Sequence, residues 1–336
     1  MMGHSCRRWG IIVSGAVVAL ATMGCGQRTL RIDYIPTGDK LEPHVVEREG
    51  GMFGGDGKIA LISVSGLLAN TKGGGLLGLN GGENPVSQFR ETLHAIAKDD
   101  SVKAVVLRMN TPGGTVNAGD MMYRDLQAFK EKTHKPVIVE MMDLCASGGY
   151  YLSCAADYRI AYPTTITGSI GVIIQTMNFS GTLDKLGIKP EAITSRENKD
   201  MGSPFRPTTD NDRKLLKALV DQFYAQFLDV VKHSHQHVAE SDWTMLTDGR
   251  VVTGRDAVRY GLIDQLGSLD DAIAKAKEMA HMKNATIIMY THMGDYRGSV
   301  YAKAPATPEF NMVNVNIDTS ALLPETTPEF LYMWKP

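Results

Sequence analysis

The chain has 336 residues, room for one large domain or two ordinary ones, and 43% are hydrophobic against 21% charged, the balance of a protein that buries a core. Thirty-five basic residues oppose 37 acidic ones, a formal charge of −2. With no basic stripe, no zinc-finger spacing and no interleaving of aromatic and basic residues, that balance argues against nucleic-acid binding.

The N-terminus reads as an export signal. Arg7 and Arg8 make a positive start, and residues 11–23 are uncharged and mostly apolar. That run is shorter than the ~20 residues of a comfortable membrane span. It ends at Gly24-Cys25-Gly26, similar to a bacterial lipoprotein cleavage site in which Cys25 becomes the lipidated first residue, although Thr22 stands where leucine is usual. An uncleaved signal anchor with a bystander cysteine is the alternative. Both readings keep Arg7 and Arg8 inside and put the rest of the chain on the extracytoplasmic side of a bacterial cell membrane. Residues 26–57, rich in glycine, proline and charge, read as a tether.

Beyond the tether, elements alternate. Residues 58–65 (KIALISVS) are a short apolar run suited to a buried strand. Residues 73–82 are too glycine-rich for regular structure, and Leu76, Leu77 and Leu79 within them suit either a flap or membrane contact, or a loop. Asn84 can cap a helix that has Pro85 in its first turn and runs to about 98, with Val86, Phe89, Leu93 and Ile96 at helical spacing. Strands are expected over 102–109 and 136–142, separated by a helix over 118–132. A small-residue helix from 146 to about 156 follows, then strands over 158–161 and 170–175, a long helix over 209–237 and a last helix over 269–282. This alternation implies crossover connections and a mainly parallel α/β sheet. The boundaries drawn are 58–296 for the folded domain and 297–336 for a proline-containing tail. That tail includes Ala302-Lys303-Ala304-Pro305-Ala306 and ends in Phe330 to Trp334, and such a small-residue or apolar stretch can be imagined lying in a peptide groove as an internal ligand.

Ser147 draws attention because it follows a predicted strand and precedes two glycines and a helix. Such a corner presents a side chain where free backbone N–H groups favour negative charge, the environment a tetrahedral oxyanion requires. A capping serine in a tight helix start is the plainer explanation. Asn110-Thr111-Pro112-Gly113-Gly114 ends another predicted parallel strand, where such sheets build their sites. Its glycines, Gly113 and Gly114, can line the same crevice, and Gly114 and Gly148 are candidate oxyanion donors. No histidine sits in a glycine-framed corner to act as base. A lysine serves if neutral, since burial lowers its ordinary pKa of about 10.4 by up to ~3–5 units. Lys199, in KDMGSPF, is such a candidate, with Ser169 of TGSIGV able to orient it; a solvated lysine beside Asp200 is the bland alternative.

The set SVKAVVLRMNTPGG, CASGGYYLSCAAD, TITGSIGVI and NKDMGSPFRP, with the later GRVVTGRDAVRYGLIDQLGSLDDAI, resembles the signal peptide peptidase A family of serine peptidases over about 58–283. The resemblance implies a Clp-protease/crotonase-like fold and a Ser-Lys dyad: Ser147 as nucleophile, Lys199 as general base, Ser169 assisting the lysine, and the Gly114 and Gly148 N–H groups at the oxyanion. It further implies a homo-oligomeric ring with the dyad shared between neighbours, remnant signal peptides as substrates, and no metal or nucleotide cofactor. Thr111 stands where the family commonly has serine, and Cys145 and Cys154 replace usual small residues. A crotonase-like acyl-CoA enzyme and a non-catalytic membrane scaffold are the competing readings. The export signal argues against the first, and the intact Ser147, Lys199 and Ser169 against the second.

Three features are set aside. His233, His235 and His237 read as a solvated helix end rather than a metal site. Asp157 and Asp264 read as turn or capping residues. Cys145 and Cys154 read as buried small hydrophobes, with a disulfide between them left open.

Overall fold

A computed structural model of the chain describes residues 41–49, 55–70, 84–235, 238–291 and 329–333. The anchor, Cys25 and the leucines of the glycine-rich loop lie outside those residues. Among the described residues no helix is long and apolar enough to cross a membrane.

The chain begins with two strands, Glu42–Arg48 (β1) and Gly57–Ser65 (β2), and Pro85–Ala97 (α1) follows. Asn84 caps α1 as expected, its side-chain oxygen accepting from the Val86 and Ser87 amides. Val102–Thr111 (β3), Gly113–Thr115 (β4), Val116–Thr133 (α2), Val137–Ala146 (β5) and Gly148–Ser153 (α3) come next. Three short strands, Tyr158–Ala161 (β6), Ile166–Gly168 (β7) and Ile173–Gln175 (β8), precede Ser180–Lys185 (α4) and the long Asp210–Ser234 (α5). Trp243–Leu246 (α6), Val251–Thr253 (β9), Gly254–Arg259 (α7), Gln265–Leu266 (β10), Leu269–Met279 (α8), Ala285–Thr291 (β11) and Glu329–Met333 (β12) complete the order.

The main sheet runs β1-β11-β2-β3-β5-β6-β10, parallel from β11 to β10. Its central strands are apolar on both faces because helices cover both. Val105, Leu107, Met109, Val137 and Val139 pack toward α1, α2 and α5. Ile59, Leu61, Ala104, Val106 and Ile138 pack with the Leu269, Ala272, Ile273 and Ala276 stripe of α8. The mainly parallel α/β architecture expected from the alternation is therefore observed.

Two expectations about the chain's flanks change. Residues 42–48, inside the segment read as a tether, form an edge strand antiparallel to β11, from Glu42 opposite Thr291 to Arg48 opposite Thr286. Residues 329–333, inside the patternless tail, also form a strand. Each takes its partners from elsewhere in the chain; composition carried no sign of the first, whereas the apolar end of the tail had suggested an extended segment in a groove.

One divergence matters for function. Strand β5 pairs β6 through Ile138–Met141 and β7 through Leu144–Ala146. The sheet thus forks at the carboxyl end of β5, one residue before Ser147.

Candidate active site

Ser147 links β5 to α3 with φ 53° and ψ −115°, a conformation L residues rarely adopt. Its amide donates to the Gly168 carbonyl at 2.8 Å, and its carbonyl accepts from the Tyr151 amide at 2.8 Å. The side chain is 1% exposed, and its Oγ has no hydrogen-bond partner. A capping serine would bind an amide of its own helix; this one does not. Buried, strained and unbonded, the hydroxyl has the surroundings of a reacting group rather than a cap.

Ser169 mirrors it on the neighbouring strand. Ala146 lies opposite Gly168 in the β5–β7 ladder, so Ser147 and Ser169 emerge from adjacent strand ends. Ser169 also has a left-handed φ of 52°, is buried, and donates its amide to the Arg250 carbonyl at 2.8 Å. Asp248 fixes Arg250 in turn through its guanidinium.

Strand β4 forms the opposite wall. The Leu68 amide donates to the Gly113 carbonyl and the Thr115 amide donates to the Leu68 carbonyl, both at 2.8 Å. Backbone groups alternate along a strand, so the Gly114 N–H and C=O face the other way, toward the groove. A Cβ at Gly114 would sit 1.8 Å from the Leu68 carbonyl oxygen, so glycine is required there by the chain's own backbone. The Gly113 amide is taken by Thr111 Oγ1 at 3.1 Å. Gly113 therefore shapes the wall, and the candidate donors narrow to Gly114 and Gly148. Gly148 opens α3, where an amide has no carbonyl one turn back to bind.

Lys199 is not brought to Ser147. It lies in the turn after Arg196, on an exposed stretch spanning residues 184–199. Asp200 does not pair with it: the Asp200 carboxylate takes Arg206 Nε at 2.8 Å and Nη2 at 2.9 Å. Arg206 also binds Asp212 at the start of α5, holding that carboxyl well below its usual range and tying the KDMGSPFRP loop to the long helix. The surrounding arm exposes Met177, Leu186, Ile188, Ile193 and Phe205, with Ile193 97% exposed.

The groove between β4 and the arm is filled by the chain itself. Strand β12 is antiparallel to both sides, with Leu331 opposite Thr115 and Tyr332 opposite Gly114 on β4, and Glu329 opposite Gln175 and Leu331 opposite Ile173 on β8.

The set-aside features resolve differently. Cys145 and Cys154 are buried free thiols, both pushed up by burial. Asp157 accepts from the Val137 amide and pairs with Lys130, and Asp264 accepts from the Arg159 amide, so both are structural. His233 is exposed beside Asp229. His235 departs from expectation: it is 6% exposed, because α5 ends at Ser234 and the next residue turns inward. Its Nε2 meets Tyr150 Oη at 2.9 Å, and burial, with Arg159 nearby, lowers its pKa to about 4. The aromatic pair Tyr150 and Tyr151 was visible in the motif but without a role; both rings are fully buried. Among the described residues no His, Cys, Asp and Glu group is arranged to hold a metal.

Comparisons with known proteins bear on the family of the chain. The model of peptidase family S49 matches residues 129–283. A protein of Enterococcus faecium, named as a candidate signal peptide peptidase, is 34% identical over 69% of this chain and 67% of its own length. A candidate protease of Methanocaldococcus jannaschii is 38% identical over 59% of this chain and 63% of its own. The chloroplastic serine protease SPPA of Arabidopsis thaliana is 33% identical over 71% of this chain but only 35% of its own, so the chain spans about a third of that relative. Among solved structures, a mutant membrane-bound stomatin-specific protease with a substrate peptide covers 66% of this chain and 80% of its own, at 17% identity and a TM-score of 0.41. The chain belongs to peptidase family S49, the signal peptide peptidase A family of serine peptidases.

Proposed function

We propose that the chain is a Ser-Lys endopeptidase on a Clp-protease/crotonase-like fold, acting on extended apolar peptides, remnant signal peptides among them, at the extracytoplasmic face of a bacterial membrane. The observation that carries this is the Ser147 hydroxyl: buried, without a partner, on a strained strand-to-helix corner. Lys199 takes the proton from Ser147, whose Oγ attacks the peptide carbonyl. The Gly114 and Gly148 amides hold the oxyanion. Lys199 then protonates the leaving amine, and water hydrolyses the acyl-enzyme. Ser169 orients the lysine.

The base reaches the nucleophile from a neighbouring copy. The exposed placement of Lys199, the unbonded Ser147 Oγ and the apolar arm support that reading, and a ring of copies would bury Leu186, Ile188 and Ile193. The N-terminal segment, through Cys25 or an uncleaved helix, anchors each copy. Substrate binds by strand addition in the place β12 occupies, antiparallel to both walls. Strand β12 therefore acts as an internal competitor.

A fluorophosphonate probe on the full-length protein tests the nucleophile. Labelling is expected in the parent and absent in Ser147→Ala with the fold intact by circular dichroism. Equal labelling of both proteins would remove Ser147 from the mechanism.

A further inference from the structure

Helix α3 has six residues, too few to hold its own shape, yet it sets the direction of Ser147. The unfavourable φ of Ser147 persists only where the surroundings over-determine it. Two consecutive side chains supply those surroundings from separate directions.

Tyr150 reaches beneath the helix. Its hydroxyl donates to the Leu262 carbonyl at 2.8 Å and meets His235 Nε2 at 2.9 Å, and His235 Nε2 lies 2.9 Å from the same carbonyl. The two rings stack, with centroids 5.7 Å apart and planes 21° from parallel. His235 is held at its other nitrogen by Ser234 Oγ at 2.6 Å and the Val231 carbonyl at 2.9 Å. Tyr151 reaches the other way. Its hydroxyl donates to Asp120 Oδ1 of α2 at 2.8 Å, and Gln226 of α5 donates to both members of that pair, at 2.9 and 3.1 Å. Tyr123 and Phe227 close on its ring edge-on, at 5.1 and 5.2 Å.

We infer that Tyr150 and Tyr151 are positioning residues for the nucleophile, anchoring α3 at two diverging points so that the Ser147 corner cannot relax. Neither touches substrate. Each acts through α3, whose Tyr151 amide also binds the Ser147 carbonyl. Buried hydroxyls that merely satisfied the core would stabilise the protein without affecting the chemical step. Anchors of a strained corner affect that step first, since misplacement of a reacting atom by about 1 Å can lower a rate by about a hundredfold.

The inference rests on Ser147 as nucleophile, and the experiment separates the two. Full-length Tyr150→Phe and Tyr151→Phe keep the rings and lose only the hydroxyls. The expected result at a temperature where both are folded is a kcat about tenfold lower for each, with KM within about threefold, and a matching fall in the rate of fluorophosphonate labelling. Asp120→Asn, which keeps an acceptor for Tyr151, should retain most activity, and Asp120→Ala should not. If either Phe variant fails to fold, His235→Leu and Gln226→Leu remove a side-chain partner of each hydroxyl instead, with the same loss expected. Variants that fold and keep kcat and labelling within twofold of the parent overturn the anchoring role while Ser147→Ala remains unlabelled. Labelling that survives Ser147→Ala overturns the nucleophile itself.

Discussion

The two halves of the proposed dyad stand in opposite surroundings. Ser147 is buried at a fork of the sheet, its backbone bonded on both sides and its helix anchored by two tyrosines. Lys199 sits on an arm whose side chains mostly face solvent and whose loop is fixed chiefly by Arg206 bridging Asp200 and Asp212. The first half is finished within one chain. The second exposes apolar side chains that, on the proposed mechanism, a neighbouring copy covers. On the proposed mechanism, pre-organisation is concentrated on the nucleophile, while access to the base is left to assembly.

The largest expected effect breaks the exposed half. Lys199→Ala should lower kcat by on the order of 10³-fold or more, the scale of a lost general base, without moving the melting temperature. A drop in melting temperature with activity retained would return Lys199 to an ordinary surface role.

The next prediction sharpens the buried half. Burial keeps His235 neutral down to about 4, whereas an unfolded histidine titrates near 6.5. Between those values the unfolded chain binds the extra proton. Stability is therefore complete above pH 6.5 and falls by about 3 kcal/mol as pH drops toward 4. Urea titrations across that window should show the loss in the parent and a flatter profile in His235→Gln; identical profiles would mean that His235 is charged in the folded protein.

The smallest effect concerns the strand between the halves. A tethered competitor acts at an effective concentration near millimolar. Deleting residues 329–336 should lower KM for a quenched apolar peptide by about tenfold and leave kcat unchanged. An unchanged KM would show that β12 leaves the groove before substrate arrives.

Much of the buried half was legible in the sequence because its determinants are local. Two glycines follow Ser147, and Ser169 follows Gly168, which adopts φ 82°. Asn84 caps its helix where the pattern placed it. The reading of Gly114 was incomplete: its groove-facing amide was anticipated, but the Leu68 backbone that forbids a side chain there was not. His235 was misread because the helical pattern was carried to residue 237, which keeps the histidines on an outer face; the helix stops three residues earlier. Strand β1 was missed because β11 is remote in sequence; the tail was read as an extended groove ligand, but not as a strand, because β4 and β8 are remote too. Strand β11 itself had a readable signal, the apolar run Ile287, Ile288 and Met289, which was passed over beside the α8 pattern.

The most direct measurement of a nucleophile finished in one copy and served by a base from another is complementation. Ser147→Ala and Lys199→Ala proteins, each inactive alone, are mixed, dissociated and reassembled, and peptide cleavage is followed. Regained activity is the predicted result, because a mixed assembly contains sites with an intact serine beside a neighbour's intact lysine. Mixed assemblies that form and remain inactive would contradict the shared dyad.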